Sequence, residues 1–200
     1  MFQRNKMLLA GALAATGMVL AGCQSLQQSQ VSVDYYKISG TTTAALDSEI
    51  RRKGPKINGG SHAVAIARIK MFPKVTYQVV GNNCKVESAK VTVDARVTLP
   101  KWTSRRVASA KLGEAWDNID RYTRLHEATH VNIAFKYAKQ IEDNVLALPA
   151  MTSCDRLRAK TKTVVDKYLK EHDIAQRKFD ADEQKRFSKL AKQQNIGNSS

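Results

Sequence analysis

Residues 90–100 read KVTVDARVTLP, and the pattern of apolar residues before this stretch differs from the pattern after it. A two-residue repeat of apolar side chains is typical of a β-strand with one buried face and one exposed face. The repeat here consists of Val91, Val93, Ala95, Val97 and Leu99. The stretch therefore predicts a half-buried strand that ends near Pro100.

The segments before this strand predict more β-structure and one short helix. VSVDYYKIS, which starts at residue 31, and the runs AVAIARIK and KVTYQVV on either side of Pro73 are rich in β-branched and aromatic residues. TTTAALDSEIRRKGP, at residues 41–55, begins with threonines that can cap a helix and ends in Gly-Pro. The turn GNN at 81–83 joins two strands and favours an antiparallel hairpin. Residues 31–102 are thus expected to form a small antiparallel sheet that carries one short helix.

The segments after Pro100 predict two long helices. From Ser104 to Leu148 the chain contains no proline and one glycine, and apolar residues recur at helical spacing. LPAMTSC breaks this pattern, and from Cys154 to about Lys192 proline and glycine are again absent. Two long helices joined by a short connection are expected to pack as an antiparallel helical hairpin.

The expected fold class is α+β within a single domain. The domain should span residues 31–192, with a sheet part at 31–102 and a helical part at 103–192. Its length is sufficient for one domain with a hydrophobic core. The polar residues 193–200 are expected to form a flexible tail.

The N-terminus predicts export and lipid attachment. Arg4 and Lys6 precede the apolar run MLLAGALAATGMVL, which is followed at once by AGC and is too short for a convincing membrane-spanning helix. The letters LAGC resemble the bacterial lipobox, which predicts a signal peptide at 1–22 and lipidation of Cys23. An ordinary cleaved signal peptide is the alternative. The polar residues 23–30 would then tether the domain to the membrane.

The same features predict a location in the bacterial cell envelope. Gln24 after the lipidated cysteine favours the outer membrane, facing the periplasm. The formal charge of +15 becomes +13 when Arg4 and Lys6 leave with the signal peptide. In an exported protein this charge does not indicate nucleic acid as a partner. It suits anionic lipid or cell-wall polymers, and a solvated basic surface is the alternative.

The two remaining cysteines predict a disulfide. Lipidation of Cys23 leaves Cys84 and Cys154, an even pair in an oxidising compartment. Two buried free thiols are the alternative. A cysteine-based metal site is not favoured, because the sequence has no Cys-x-x-Cys spacing.

Residues 124–134, RLHEATHVNIA, contain the motif His-Glu-x-x-His on a predicted helix. Residues four apart lie on one helix face, so His126 and His130 can direct ring nitrogens to the same zinc ion. Glu127 is rotated by about 100° from His126, which places its carboxylate beside the ligands as a candidate general base. Two helical histidines packed against the sheet, beside a surface glutamate, are the alternative.

A catalytic zinc site needs a third protein ligand, and helix lengths point to His172. An antiparallel return from Ser153 would come level with His130 after 19 residues, at His172. Asp173 would lie beside it. A shift of one helical turn would bring Asp180 or Asp166 to the metal instead, and His62 is a further candidate.

Several motifs resemble those of a bacterial family described as predicted secreted zinc-dependent proteases, still classed as a domain of unknown function. They are YKISG at 36–40, a cysteine ahead of a strand that ends in TLPKW, Trp116 ten residues before the metal motif, and CDRL at 154–157. The resemblance extends from about Tyr35 to Phe187. It implies a zinc-binding protease domain that carries the His-Glu-x-x-His helix.

The chain departs from that family near its end. The family usually closes with Tyr-Asp-x-x-Thr-x-His-Gly, and here the region reads FDADEQKR. Asp180 is retained, whereas Lys185 stands in the place of the histidine. This difference adds interest to His172 as a ligand.

The function expected from these features is that of a zinc-dependent metallopeptidase anchored as an envelope lipoprotein. Zinc would activate a water molecule for attack on a peptide bond, with Glu127 as the base. Zinc is the expected cofactor, and the substrate would be a peptide, a protein or a cell-wall amide. The alternative is a non-catalytic, zinc-binding lipoprotein that acts by binding a protein or cell-wall partner.

Overall fold

The computed structural model describes residues 28–57 and 60–197. The predicted signal peptide at 1–22, Cys23, most of the tether at 23–30 and the last three residues of the predicted tail lie outside this part of the chain. Within it, no helix is both long and apolar enough to cross a membrane.

The α+β fold class is confirmed. The elements are β1 (Gln30–Ile38), α1 (Thr43–Lys53), β2 (Ile66–Val80), β3 (Asn83–Trp102), a 3-10 turn (Arg105–Val107), α2 (Ala110–Leu146) and α3 (Cys154–Gly197). The hydroxyl of Thr42 caps α1 and that of Ser109 caps α2, each accepting a hydrogen bond from a backbone N–H in the first turn. The last helix continues past Lys192, where the sequence predicted its end.

The described strands form a mixed sheet in the order β1-β3-β2. The hairpin of β2 and β3 is antiparallel, as predicted, and Gly81 supplies the positive φ of 58° that its turn needs. Strand β1 pairs with β3 in parallel, with Val33 opposite Val97. This pairing corrects the expectation of a wholly antiparallel sheet. The segment after β1 crosses to the far side of β3, and parallel neighbours require such a crossover.

Pro73 does not divide the segment into two strands, as its position in the sequence suggested. It lies within the continuous strand β2, opposite Val91 of β3. Proline lacks a backbone N–H and is tolerated at the edge of a sheet, where that group is not needed for pairing. Within the described residues β2 is an edge strand, so its outer side is available to other parts of the molecule.

The core lies between one face of the sheet and α2, with α3 packed against both. The predicted alternation in β3 is confirmed, because its apolar face is buried: Ala89, Val91, Val93, Ala95, Val97 and Leu99. Against this face α2 buries Val131, Ala134, Ala138, Ile141 and Val145. Small alanines let the helix approach the sheet closely.

The predicted disulfide between Cys84 and Cys154 is present and anchors the start of α3 to the start of β3. Backbone hydrogen bonds in both directions between Cys84 and Met151 hold the preceding loop in place. The two long helices are antiparallel, since the ring of Tyr137 contacts that of His172 while the ring of Tyr122 contacts that of Phe187. The beginning of α3 therefore determines which of its residues lie opposite the metal motif.

Candidate metal centre

The motif His-Glu-x-x-His lies in the middle of α2, as predicted, and its residues face two directions. Glu127 is on the face that packs against the sheet and is only 5% exposed. His126 and His130 face α3, with side chains 21% and 13% exposed. This division follows from the helical repeat, because neighbouring residues are separated by about 100° around the helix axis.

The Nε2 atoms of the two histidines converge on one point. They are 3.2 Å apart. Oδ1 of Asp180, on α3, lies 3.3 Å from His126 Nε2 and 3.0 Å from His130 Nε2. The ligand atoms that these three side chains offer all lie within 4.8 Å of one another, so the group could hold a metal ion.

These separations match the size of a tetrahedral metal shell. Ligand atoms about 2.0–2.1 Å from a zinc ion, at tetrahedral angles, are separated from each other by about 3.3 Å. The three observed distances of 3.0, 3.2 and 3.3 Å are close to this value. The residues therefore fit a zinc-sized divalent ion.

The other ring nitrogens have hydrogen-bond partners that suit metal binding through Nε2. The hydroxyl of Tyr122 donates to Oε2 of Glu183 at 2.7 Å, and its oxygen lies 3.4 Å from His126 Nδ1. Nδ1 of His130 lies 2.5 Å from Oε1 of Gln176. Such contacts to Nδ1 orient the rings and leave Nε2 for a metal.

Electrostatics at the site also favour neutral imidazole. Burial, followed by the neighbouring His130, lowers the pKa of His126 below its usual value. A histidine must be deprotonated at the ligating nitrogen before it can bind a metal. The environment of His126 therefore favours the form that binds.

The environment of Glu127 raises the pKa of its carboxyl group. Burial raises the pKa of its carboxyl group, while the charge of His130 and a hydrogen bond from the backbone N–H of Ala67 partly offset the rise. Ala67 belongs to β2, so this hydrogen bond links the carboxylate of Glu127 on α2 to that strand. A carboxyl group with a raised pKa next to a candidate metal site is characteristic of proton-transfer catalysts.

A cleft of about 510 Å³ opens over the three candidate ligands. The candidate ligands, Glu127, His172 and Gln176 form its polar side. The opposite wall is apolar and comes from β2 and the loop before it: Ile57, Ala63, Ala65, Ile66, Ala67 and Ile69. A substrate could therefore reach the candidate metal position and the base from one cleft.

His172 lies in the same cleft, although its ring nitrogens contact other residues. It is 7% exposed, its Nε2 is 2.8 Å from Nε2 of Gln176, and its Nδ1 is 3.2 Å from Asp173. Gln176, one turn later, is the residue that contacts His130, so the helical register is displaced by about one turn from the predicted one. That His172 ligates the metal stays a prediction. His62 contacts the carbonyl of Arg51 and is not part of the group around Asp180.

Gln176 was missed by the sequence analysis although the chain contains a signal for it. His172, Gln176 and Asp180 follow one another at intervals of four, so they share one face of α3. A polar stripe of this kind, on a helix predicted to pack against a metal motif, identifies residues that can reach the metal or its ligands.

Comparison with known families gives one match. The model of the family described as "Bacterial protein of unknown function (DUF922)" matches residues 33–187. No curated protein and no solved structure shows significant similarity to the chain. The match covers all the residues of the candidate metal centre.

Proposed function

We propose that this chain, which belongs to the DUF922 family of bacterial proteins, is a zinc-dependent hydrolase of peptide bonds. The observation that carries the proposal is the convergence of His126, His130 and Asp180 beside the buried Glu127. Two imidazoles from one helix and a carboxylate from another form a ligand set used by catalytic zinc sites.

The number of ligands supports a catalytic rather than a structural site. Structural zinc sites usually have four protein ligands, whereas catalytic sites have three and keep one position open. In the described part of the chain the group contains three side chains. The cleft lies over them, so the open position would face a substrate.

Glu127 favours hydrolysis over other chemistry that the same ligands permit. Two histidines and one carboxylate also bind iron in oxygen-activating enzymes. Those reactions do not depend on a carboxylate base beside the metal site, whereas hydrolysis does. Zinc bound here would supply Lewis acidity and would lower the pKa of a coordinated water.

Each residue of the site would have a distinct role in this reaction. Glu127 would accept a proton from the attacking water and return it to the leaving amine. The N–H of Ala67 holds the Glu127 carboxylate in place. His126 and His130 keep their Nε2 atoms directed at one point through their Nδ1 contacts.

The position of β2 supports a peptide as substrate. Within the described residues β2 is an edge strand, and it lines the cleft with Ile66, Ala67 and Ile69. Main-chain groups at the edge of a sheet can pair with an extended peptide. The alanines of this wall, Ala63, Ala65 and Ala67, leave room for such a segment.

The alternative is that the zinc site has no catalytic role and that Glu127 only accepts a structural hydrogen bond from the backbone of β2. Glu142 provides a comparison, because it also lies on α2 and its Oε1 accepts a hydrogen bond, 2.8 Å long, from the N–H of Val91. Glu142 has no part in the metal group. If substitution of Glu127 abolishes activity and substitution of Glu142 does not, Glu127 has a catalytic role beyond a structural hydrogen bond to a strand.

We also propose that the domain is anchored to the bacterial envelope through lipid on Cys23 and faces the periplasm. The support is the LAGC sequence after an apolar run with basic residues before it. A lipid anchor would place the cleft within reach of envelope proteins and cell-wall peptides.

The test combines metal analysis with hydrolysis of an unfolded, fluorescently labelled protein. Wild type should contain one zinc per chain and cleave the probe. Glu127→Gln should keep the zinc and lose at least about 100-fold in rate, the usual contribution of a general base. Glu142→Gln should retain both properties. Zinc without cleavage of any probe would favour the non-catalytic alternative, and a wild-type protein that binds no zinc would refute the proposal.

A further inference from the structure

Three side chains on α3 make a hydrogen-bonded chain that ends at a candidate metal ligand on α2. Asp173, His172, Gln176 and His130 follow one another in this chain, with contact distances of 3.2, 2.8 and 2.5 Å. His172 is 7% exposed. Buried polar side chains need satisfied partners, so the donor and acceptor at each contact can be assigned.

The backbone fixes the orientation of the Gln176 amide. Nε2 of Gln176 is 3.0 Å from the carbonyl oxygen of His130, which can only accept. The nitrogen of the amide must therefore be on this side and its oxygen on the other. The opposite orientation would place two acceptors against each other.

Once the amide is oriented, the protonation of both rings follows. Oε1 of Gln176 can only accept, so Nδ1 of His130 must carry the hydrogen and its Nε2 keeps the free lone pair. The second hydrogen of the amide points to Nε2 of His172, which must accept it. The hydrogen of His172 is then on Nδ1, where Oδ1 of Asp173 accepts it.

We propose that Gln176 and His172 are positioning residues that hold His130 in its Nδ1–H tautomer, with Nε2 aimed at the metal. This inference rests on the proposed function for the presence of a metal. In this arrangement His172 does not bind the metal. It contacts Gln176, which in turn contacts the ligand His130. Partners of this kind typically change metal affinity by 10–100-fold when they are removed.

The first measurement is zinc affinity, determined by competition with a chromophoric chelator on the purified full chain. Gln176→Leu removes both hydrogen-bonding groups and should weaken zinc binding about 10–100-fold, with one zinc still bound at saturation. Gln176→Glu keeps an acceptor for Nδ1 but sets its other carboxylate oxygen against the carbonyl oxygen of His130, so its zinc affinity should fall between those of wild type and Gln176→Leu. His172→Leu should weaken binding less than Gln176→Leu, because the His130 carbonyl still orients the amide. Gln184→Leu, an exposed glutamine on the same helix, is the control and should have no effect.

The second measurement does not depend on zinc. Long-range ¹⁵N–¹H NMR of the metal-free protein reports which ring nitrogen of His130 carries the hydrogen. Wild type and Gln176→Glu should show Nδ1–H, and Gln176→Leu should lose this preference.

Two outcomes would overturn the inference. One is an unchanged tautomer and an unchanged zinc affinity in Gln176→Leu. The other is loss of bound zinc at saturation in His172→Leu, which would make His172 a ligand. If wild type binds no zinc, the proposed function fails, and the tautomer of His130 still decides whether Gln176 positions it.

Discussion

Oδ1 of Asp180 lies 3.0 Å from Nε2 of His130, so a carboxylate on α3 completes a site that begins on α2. The side chain of Asp180 is 56% exposed, whereas that of His130 is mostly buried. The site is therefore built from a fixed pair of histidines and a carboxylate on the open side of the cleft. Its assembly depends on how the two helices are aligned.

The first prediction is that Asp180→Ala weakens zinc binding by more than about 100-fold, beyond what loss of an outer-shell partner causes. The reason is that a shell of two histidines is incomplete. Asp182→Ala, two residues away and exposed, is the matched control and should bind zinc normally. Chelator competition measures both variants. Normal zinc binding by Asp180→Ala would mean that another residue is the third ligand.

The second prediction concerns pH and Glu127. Because burial raises the folded-state pKa of this group above its ordinary value of 4.5, the folded protein binds more protons than the unfolded chain in the window above that value. Wild type therefore loses stability as the pH rises through the folded pKa, and the Gln variant does not have this loss. In metal-free protein, the Tm of Glu127→Gln relative to wild type should be higher at pH 8 than at pH 4.5. A difference in Tm that stays constant or falls with pH would contradict the raised pKa.

The third prediction is that replacing both Cys84 and Cys154 with alanine lowers the free energy of unfolding by about 4 kcal/mol, from the entropy of closing a long loop. The disulfide joins residues separated by 70 positions, which makes this entropy large. Urea denaturation with and without reductant measures the effect. Reductant should destabilise wild type and leave the double variant unchanged, and equal curves for the oxidised proteins would refute the estimate.

The fourth prediction tests the contact between α2 and the sheet. Ile141 is fully buried, so Ile141→Ala should cost about 2–5 kcal/mol through the cavity it leaves. Leu125, on the same helix, is 63% exposed, and Leu125→Ala should change stability by less than about 0.5 kcal/mol. Similar effects of the two substitutions in urea denaturation would mean that α2 packs through another face.

The fifth prediction is that Cys23 is lipidated. Cys23→Ala should release the protein from the membrane fraction and abolish labelling by radioactive fatty acid. Ser25→Ala, two residues later, should leave both properties unchanged. A wild-type protein that takes up no label and still sediments with membranes would remove the lipoprotein proposal.

The sequence by itself was sufficient for features that depend on short-range geometry. The alternation from Val91 to Leu99 predicted a strand with one buried face, and this face is buried in the structure. The spacing of four between His126 and His130 placed both imidazoles on one side of a helix. Counting cysteines in a chain that is predicted to be exported was enough to pair Cys84 with Cys154.

Only the tertiary structure decided which residue of α3 lies opposite the two histidines. Helix lengths suggested His172, whereas the folded chain places Gln176 next to His130 and Asp180 next to both Nε2 atoms. The alignment of α3 depends on the loop after α2 and on the disulfide that attaches Cys154 to β3. Those contacts join residues far apart in the chain, so local periodicity carries no information about them. His172 and Gln176 are one helical turn apart, and long-range packing decides which of them lies beside His130.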